Sequence, residues 1–379
     1  MMKSPEISNE FEGPKPCNMY DLASVLDNAN LVMRVHESPD GGPYTRPTIG
    51  YDWAHIYNQE NLENIRVITH DDRVVSQVAI LPSIVQTPRG DISVGGINCF
   101  ATNPDFRRQG LGEAVLLDSH EKMRRDGHHI GLLTTEIYDY YRKYYWETAG
   151  RERTYAFDRG NVDLLPDLGD YEVTSDRMPF NGQIYDLSLA RPIMAKRSRS
   201  MHDVVSSHRL HHSFVAHRGG ELIAYLAFRD EGTPVGWDYL GDPRDVAALI
   251  RYAFKEFDDL GQTTSGRVGP ARPTLEFFVR TSDGLDPVSA YLNGRGIPHT
   301  LGYIGMAIML DAQGLWESLG ITEVGLDGAP DNWEVTSGSK MLKMDDRELT
   351  RLVFGPERYP DFAPGVFPID FYQWPLDIV

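Results

Sequence analysis

Asn103-Pro-Asp-Phe-Arg-Arg-Gln-Gly-Leu-Gly-Glu-Ala-Val-Leu-Leu117 joins a strand to a helix through a turn that carries two arginines and two glycines. Gly110 and Gly112 remove side chains where backbone N–H groups must approach an anion, and the helix that follows points its positive end at the same spot. Arg107 and Arg108 add charge whose planar forks suit phosphate oxygens. The spacing Arg107-x-x-Gly110-x-Gly112 is not a Walker loop, which ends in Gly-Lys-Ser/Thr, nor a three-glycine dinucleotide fingerprint. Arg107, Arg108, Gln109, Gly110, Leu111 and Gly112 are therefore read as a pyrophosphate cradle, against the plainer reading of a surface turn before an amphipathic helix.

The flanking pattern decides between these readings. Val67 to Leu81 reads as two strands around an Asp71-Asp72 turn, and Asp91 to Thr102 as a further strand. Leu111, Val115, Ser119 and Met123 lie one helical turn apart, so one helix face can pack on a sheet, and Gly127 is a natural left-handed stop. Ile130 to Thr135 is then a short apolar strand, and Tyr138-Asp-Tyr-Tyr-Arg-Lys-Tyr-Tyr-Trp-Glu147 opens a second, aromatic helix.

This order, with the Arg107 to Gly112 loop, resembles the acyl-CoA half of the GNAT acetyltransferase superfamily. The segment Tyr140-Tyr-Arg-Lys-Tyr-Tyr-Trp-Glu147 resembles that family's Phe-Tyr-Arg-Arg-Phe-Gly-Tyr-Glu motif. The resemblance implies that Tyr141 is the general acid; a phenol near pKa 10 is matched to protonating a departing alkyl thiolate. It also implies that Phe100, Ala101 and Thr102 offer backbone N–H groups to pantetheine and the thioester oxygen. Tyr145 stands where the family usually has glycine, so the turn after this helix is expected to be built differently. A packing role for Tyr141 on an aromatic helix is the alternative.

With 379 residues the chain exceeds a single such domain. Phe214 to Phe228 reads as a hairpin around Gly219-Gly220; Asp242-Pro243 starts a helix, and Thr274 to Arg280 and Tyr303 to Leu310 read as strands. This partly repeats the first domain. At the place of the anion loop stands Leu240-Gly-Asp-Pro-Arg-Asp, which offers carboxylates, so no CoA site is expected there. The plan resembles the Eis-type acetyltransferases. That resemblance implies an α/β fold with mixed sheets: a catalytic GNAT domain at 1–160, a degenerate GNAT-like domain at 161–310 and a smaller sterol-carrier-protein-like domain at 311–379. It further implies that the Val379 carboxylate enters the active site as base or amine anchor, and that the protein is a homo-oligomer. The aromatic tail, with Phe371, Tyr372 and Trp374, is expected to dock against the body.

Composition limits the partners. A net charge of −18 argues against nucleic acid or anionic membrane, and attracts cations such as polyamines, aminoglycosides or lysine-bearing peptides. No apolar run is long enough to span a bilayer, only two cysteines occur, and the first residues lack a signal-like apolar core, so a soluble cytoplasmic protein is expected. His208, His211, His212 and His217 cluster in sequence, but a helix-to-strand segment would splay them, so no metal is expected. The reading is an acetyl-CoA-dependent N-acetyltransferase. A non-catalytic acyl-CoA sensor and a transferase for longer acyl chains are the alternatives, and Val379, Glu136 or a water chain remain open as the base.

Overall fold

The computed structural model describes residues 5–34, 48–230, 234–263, 275–279, 286–356, 362–369 and 371. The fold is α/β with mixed sheets and divides into two compact units, the first made of the described residues within 5–149 and 305–369, the second of those within 150–304 together with Phe371.

The first unit begins with β1 (Glu12–Pro16), α1 (Leu22–Met33) and the short α2 (Ile49–Asp52). β2 (Ile65–His70), β3 (Arg73–Thr87) and β4 (Gly90–Thr102) then form an antiparallel meander. Asp71 and Asp72 have φ of 47° and 60°, the left-handed pair that a two-residue hairpin requires and aspartate tolerates. α3 (Leu111–Arg125) crosses back to β5 (Ile130–Leu133), which lies parallel to β4. Its predicted stripe is buried at Leu111, Val115, Ser119 and Met123, against Ile68, Val78 and Ile80 of the sheet. Gly127, at φ 75°, ends this helix as expected. α4 (Tyr138–Arg142) and β6 (Glu147–Ala149) follow.

The second unit is built from β7 (Glu152–Phe157), β8 (Glu172–Thr174), α5 (Asn181–Ser188), the two-residue β9 (Met194–Ala195) and α6 (Arg199–Arg209). β10 (His212–Arg218), β11 (Glu221–Asp230) and β12 (Pro234–Gly241) make a second meander, hinged at Gly219 and Gly220. α7 (Pro243–Thr263) leads to β13 (Leu275–Val279), parallel to β12, and α8 (Pro287–Gly294) to β14 (His299–Gly302). Meander, helix and parallel strand thus recur in the order of the first unit.

The chain returns to the first unit as β15 (Gly305–Met309), which inserts between β5 and β6. α9 (Ala312–Ser318), the hairpin strands β16 (Gly325–Ala329), β17 (Asn332–Ser337) and β18 (Lys340–Met344), and α10 (Asp346–Phe354) complete it. The sheet orders are β1-β2-β3-β4-β5-β15-β6 and β14-β7-β13-β12-β11-β10-β8. β6 therefore pairs with β15 and not with β7, the strand that follows it in sequence; β14 pairs with β7 and not with β15. The divisions at Ala149 and Gly305 depart from the sequence boundaries at 160 and 310, because strand patterning shows that a segment is extended and not which sheet it joins. Of the tail, Phe371 is 2% exposed, while Tyr372 and Trp374 lie outside the described residues.

Candidate functional site

The register of β4 creates the opening for a site. Gln77 of β3 faces Ala101 and Ala79 faces Asn98, so β4 holds an extra residue between them and Cys99 takes φ 42°. Such a bulge bends its strand. β4 and β5 pair only over Val94–Gly96 and Ile130–Leu132; beyond, Ile97 to Phe100 and Leu133 to Thr135 both border one cavity of about 930 Å³.

The anion loop forms one end of that cavity. Asn103 Oδ1 accepts from the Asp105 N–H at 3.0 Å and Pro104 starts a single tight turn, which delivers the chain to Arg107. Arg107 Nε donates to the Thr102 carbonyl at 3.3 Å, and Arg108 and Gly110 take φ of 65° and 77°. The first N–H groups of α3 have no acceptor within the helix and carry the positive end of its dipole. A Cβ on Gly112 would stand 3.2 Å from both Phe100 Cζ and Thr102 Oγ1, a tight contact that glycine avoids. Thr102 is held in turn by Ser76, oxygen to oxygen at 2.9 Å. These features fit a pyrophosphate.

Of the residues expected to bind the cofactor, Phe100, Thr102, Arg107, Arg108, Gly110, Leu111 and Gly112 border the cavity. Ala101 is buried in the sheet opposite Gln77, and Gln109 is exposed on the loop. Tyr141 also borders the cavity, 6% exposed, with ring centroids 6.1 Å from Phe100 and 5.3 Å from Tyr140. Burial pushes its hydroxyl well above the ordinary phenol value, so it stays protonated through the neutral range. Tyr140 is raised likewise, first by burial and then by Tyr144.

The turn after α4 keeps its glycine-like backbone despite the tyrosine: Tyr145 has φ 68°, and the Trp146 N–H returns to the Tyr141 carbonyl at 3.3 Å. The expectation of a differently built turn is thereby corrected. The partly buried Tyr145 ring packs against the core that holds Trp146. Beneath it, Trp146 Nε1 donates to His120 Nε2 at 3.0 Å; burial lowers His120 to about 3 and keeps it neutral.

Part of the cavity wall was not found from sequence. Val32, Met33 and Arg34 at the end of α1, and Ile49 and Trp53 at α2, border it together with Asn98 and Cys99. Arg34 Nη2 donates to Asp52 Oδ2 at 2.7 Å, and Tyr57 donates to Asn98 Oδ1 at 2.9 Å. Burial raises the Cys99 thiol to about 11. No local motif marks these positions; sheet closure brings them to the loop.

Three sequence candidates lie elsewhere or beyond description. Val379 is outside the described residues. Glu136 is exposed and does not border the cavity. Of the clustered histidines, His208 lies in α6, His211 between α6 and β10, and His212 and His217 on β10. Among the described residues, no group of three or more histidine, cysteine or acidic side chains is placed to hold a metal.

The same residues carry a family match, since the model of the acetyltransferase (GNAT) domain fits residues 14–149. The chain contains a GNAT acetyltransferase domain. That domain class is built for acyl transfer. The chain is similar to a GCN5-related N-acetyltransferase from Kribbella flavida, at 13% identity over 86% of this chain and 81% of that one, with a TM-score of 0.56. It is similar also to a GCN5-related N-acetyltransferase from Anabaena variabilis (12% identity, 90% and 89% covered, TM-score 0.58) and to Eis1 from Mycobacterium abscessus (12%, 79% and 82%, 0.52). At these identities the likeness is one of fold. No curated protein matches the sequence. Among the described residues, no helix is long and apolar enough to cross a membrane.

Proposed function

We propose that this protein is an acetyl-CoA-dependent N-acetyltransferase that moves the acetyl group to an amine by direct attack in a ternary complex. The observation that carries this reading is the opening of the Arg107 to Gly112 loop and of Tyr141 onto one cavity. Arg107, Arg108 and the α3 amides hold the donor's pyrophosphate, and the splayed edge of β4 from Phe100 to Thr102 receives its pantetheine arm. The amine nitrogen attacks the thioester carbonyl carbon as the C–S bond breaks. Tyr141 gives its proton to the departing sulfur.

The net charge of −18 draws cationic amines toward the protein, and polyamines, aminoglycosides and lysine-bearing peptides are the acceptor classes to try. In this reading the second unit is a degenerate GNAT-like domain that binds no CoA, residues 311–379 are sterol-carrier-protein-like, and the Val379 carboxylate serves the acceptor. The protein works in the reducing cytoplasm as a homo-oligomer. The test is CoA thiol release from acetyl-CoA over an amine panel, with Arg107→Ala, Gly110→Glu as control. Amine-dependent release that the control abolishes supports the reading. Tight CoA binding without release on any amine would replace it with an acyl-CoA sensor.

A further inference from the structure

One wall of the cavity joins Tyr140 and Tyr141 of α4, and Tyr144 in the turn that closes it, to Glu113 of α3. Tyr140 and Tyr144, four positions apart, lie ring against ring at 5.3 Å between centroids; Tyr140 is also 5.3 Å from Tyr141 and 6.0 Å from Phe100. Among the described residues, Glu113 is the one carboxylate that borders the cavity. A glutamate in the first turn of a helix ordinarily complements the dipole from the solvent side. Glu113 is half-buried and engages the Tyr144 hydroxyl instead. The Tyr144 hydroxyl is raised first by burial and then by Glu113, and lowered by its bond to Tyr140; the Tyr140 hydroxyl is raised first by burial and then by Tyr144. A hydroxyl that donates holds its proton more tightly and one that accepts holds it less tightly. Tyr140 therefore donates to Tyr144, and Tyr144 donates to Glu113. The other titratable or charged groups on the cavity are Tyr141, Cys99, Arg34, Arg107 and Arg108. Burial raises Tyr141 and Cys99, and a guanidinium keeps its proton, so near neutral pH the carboxylate is the group able to take one.

Building on the acyl-transfer reading above, we propose that Glu113 is the terminal acceptor of the amine's proton, reached from the transfer point through the hydroxyls of Tyr140 and Tyr144. The acceptor's ammonium gives a proton to the Tyr140 oxygen as Tyr140 passes its own to Tyr144 and Tyr144 passes its own to Glu113, which later releases it to solvent. The freed lone pair attacks the acyl carbon, the C–S bond breaks, and sulfur takes the Tyr141 proton. The nitrogen of the new amide still carries one proton too many and gives it to the Tyr141 oxygen, so every group returns to its starting state. Glu113 acts through the two tyrosines, without contact with the acceptor.

The test follows CoA thiol release against pH with two probe acceptors, Nα-acetyl-lysine amide and spermidine. In the wild type kcat/KM should stay level between roughly pH 7 and 9, because the protein itself deprotonates the bound ammonium. Glu113→Gln should lower it by about 10²-fold at pH 7 and make it climb about tenfold per pH unit, since only amine already neutral in solution then reacts. Tyr144→Phe cuts the same relay and should reproduce that profile, and the double variant should be no slower than either single one. Glu113→Asp keeps the carboxylate and should recover part of the level profile. A wild-type rate that already climbs tenfold per unit overturns the proposal without need of any variant. A Glu113→Gln profile that is lower but parallel to the wild type reduces the residue to a structural role and overturns it too. So does a rise in KM alone that Tyr144→Phe does not share, which would make Glu113 an anchor for the cation. Should Tyr144→Phe not fold, the slopes of Glu113→Gln and Glu113→Asp decide. Acetyl-CoA binding by calorimetry with no release from these probes or from any amine of the panel sinks acyl transfer itself, and the relay with it.

Discussion

Tyr141 shows how burial sets a role. Its hydroxyl is held protonated by desolvation, so the acid form is present throughout the neutral range, as the proposed proton transfer to sulfur requires. Tyr141→Phe should lower kcat by about 10²-fold while leaving acetyl-CoA affinity within about twofold, as steady-state rates and calorimetry would show. Equal turnover would remove the tyrosine from the chemistry. His120 predicts a pH effect of definite sign. Its folded pKa of about 3 lies below the ordinary histidine value, so the native state refuses a proton that the unfolded chain accepts. Its stabilisation is present above roughly pH 6.5 and is lost as pH falls toward 3. His120→Gln keeps an acceptor for Trp146 Nε1, and denaturation across that window should be flatter for it than for the wild type. His120→Leu leaves the indole N–H buried and unpaired, at a cost of about 1–3 kcal/mol.

At the scale of elements, the loop-to-α3 junction and the α4-to-β6 turn are fixed by different means. The first depends on missing side chains: Gly112→Val would drive methyl groups into Phe100 and Thr102, raising the acetyl-CoA KM by about tenfold or more and lowering the melting temperature through overpacking. The second depends on a buried carboxylate. Glu147, 3% exposed, accepts from Arg142 Nε at 3.2 Å, from the Thr148 N–H at 2.9 Å and from Arg347 Nη2 of α10 at 3.1 Å. Burial alone would raise its pKa, but these donors together bring it below the ordinary value. Arg347→Ala removes one donor and one charge from that carboxylate, and should cost about 1–3 kcal/mol in chemical denaturation. Because Arg142 ends the helix that carries Tyr141, kcat should fall as well. A variant with wild-type stability would show that Arg142 and Thr148 suffice.

For the whole molecule, the order β5-β15-β6 has a direct consequence. The segment that matches the GNAT domain ends at Ala149, yet β6 reaches its sheet only through β15, which begins 156 residues further along the chain. A fragment ending at Ala149 leaves β5 with an open edge and β6 with no partner. It should fail to unfold cooperatively and should not bind acetyl-CoA, whereas joining residues 305–369 to it through a flexible linker should restore both. Cooperative melting of the short fragment would show that β15 is dispensable.

The sequence by itself determined whatever depends on neighbours along the chain. The Arg107 to Gly112 cradle, the stripe of Leu111, Val115, Ser119 and Met123, the stop at Gly127 and the hairpins at Asp71-Asp72 and Gly219-Gly220 all follow from local backbone geometry and helical period. The motif beginning at Tyr140 placed Tyr141 for the same reason. Other features were left to the tertiary structure. Which sheet receives Glu152–Phe157 and which receives Gly305–Met309 depends on long-range hydrogen bonding, because both read equally well as extended apolar segments. That Tyr145 adopts a left-handed backbone follows from the turn around it, against its own preference. Arg34 and Trp53 carry no motif at all: they border the same cavity as Cys99 only because the β4 bulge and the packing of α1 and α2 bring distant residues together.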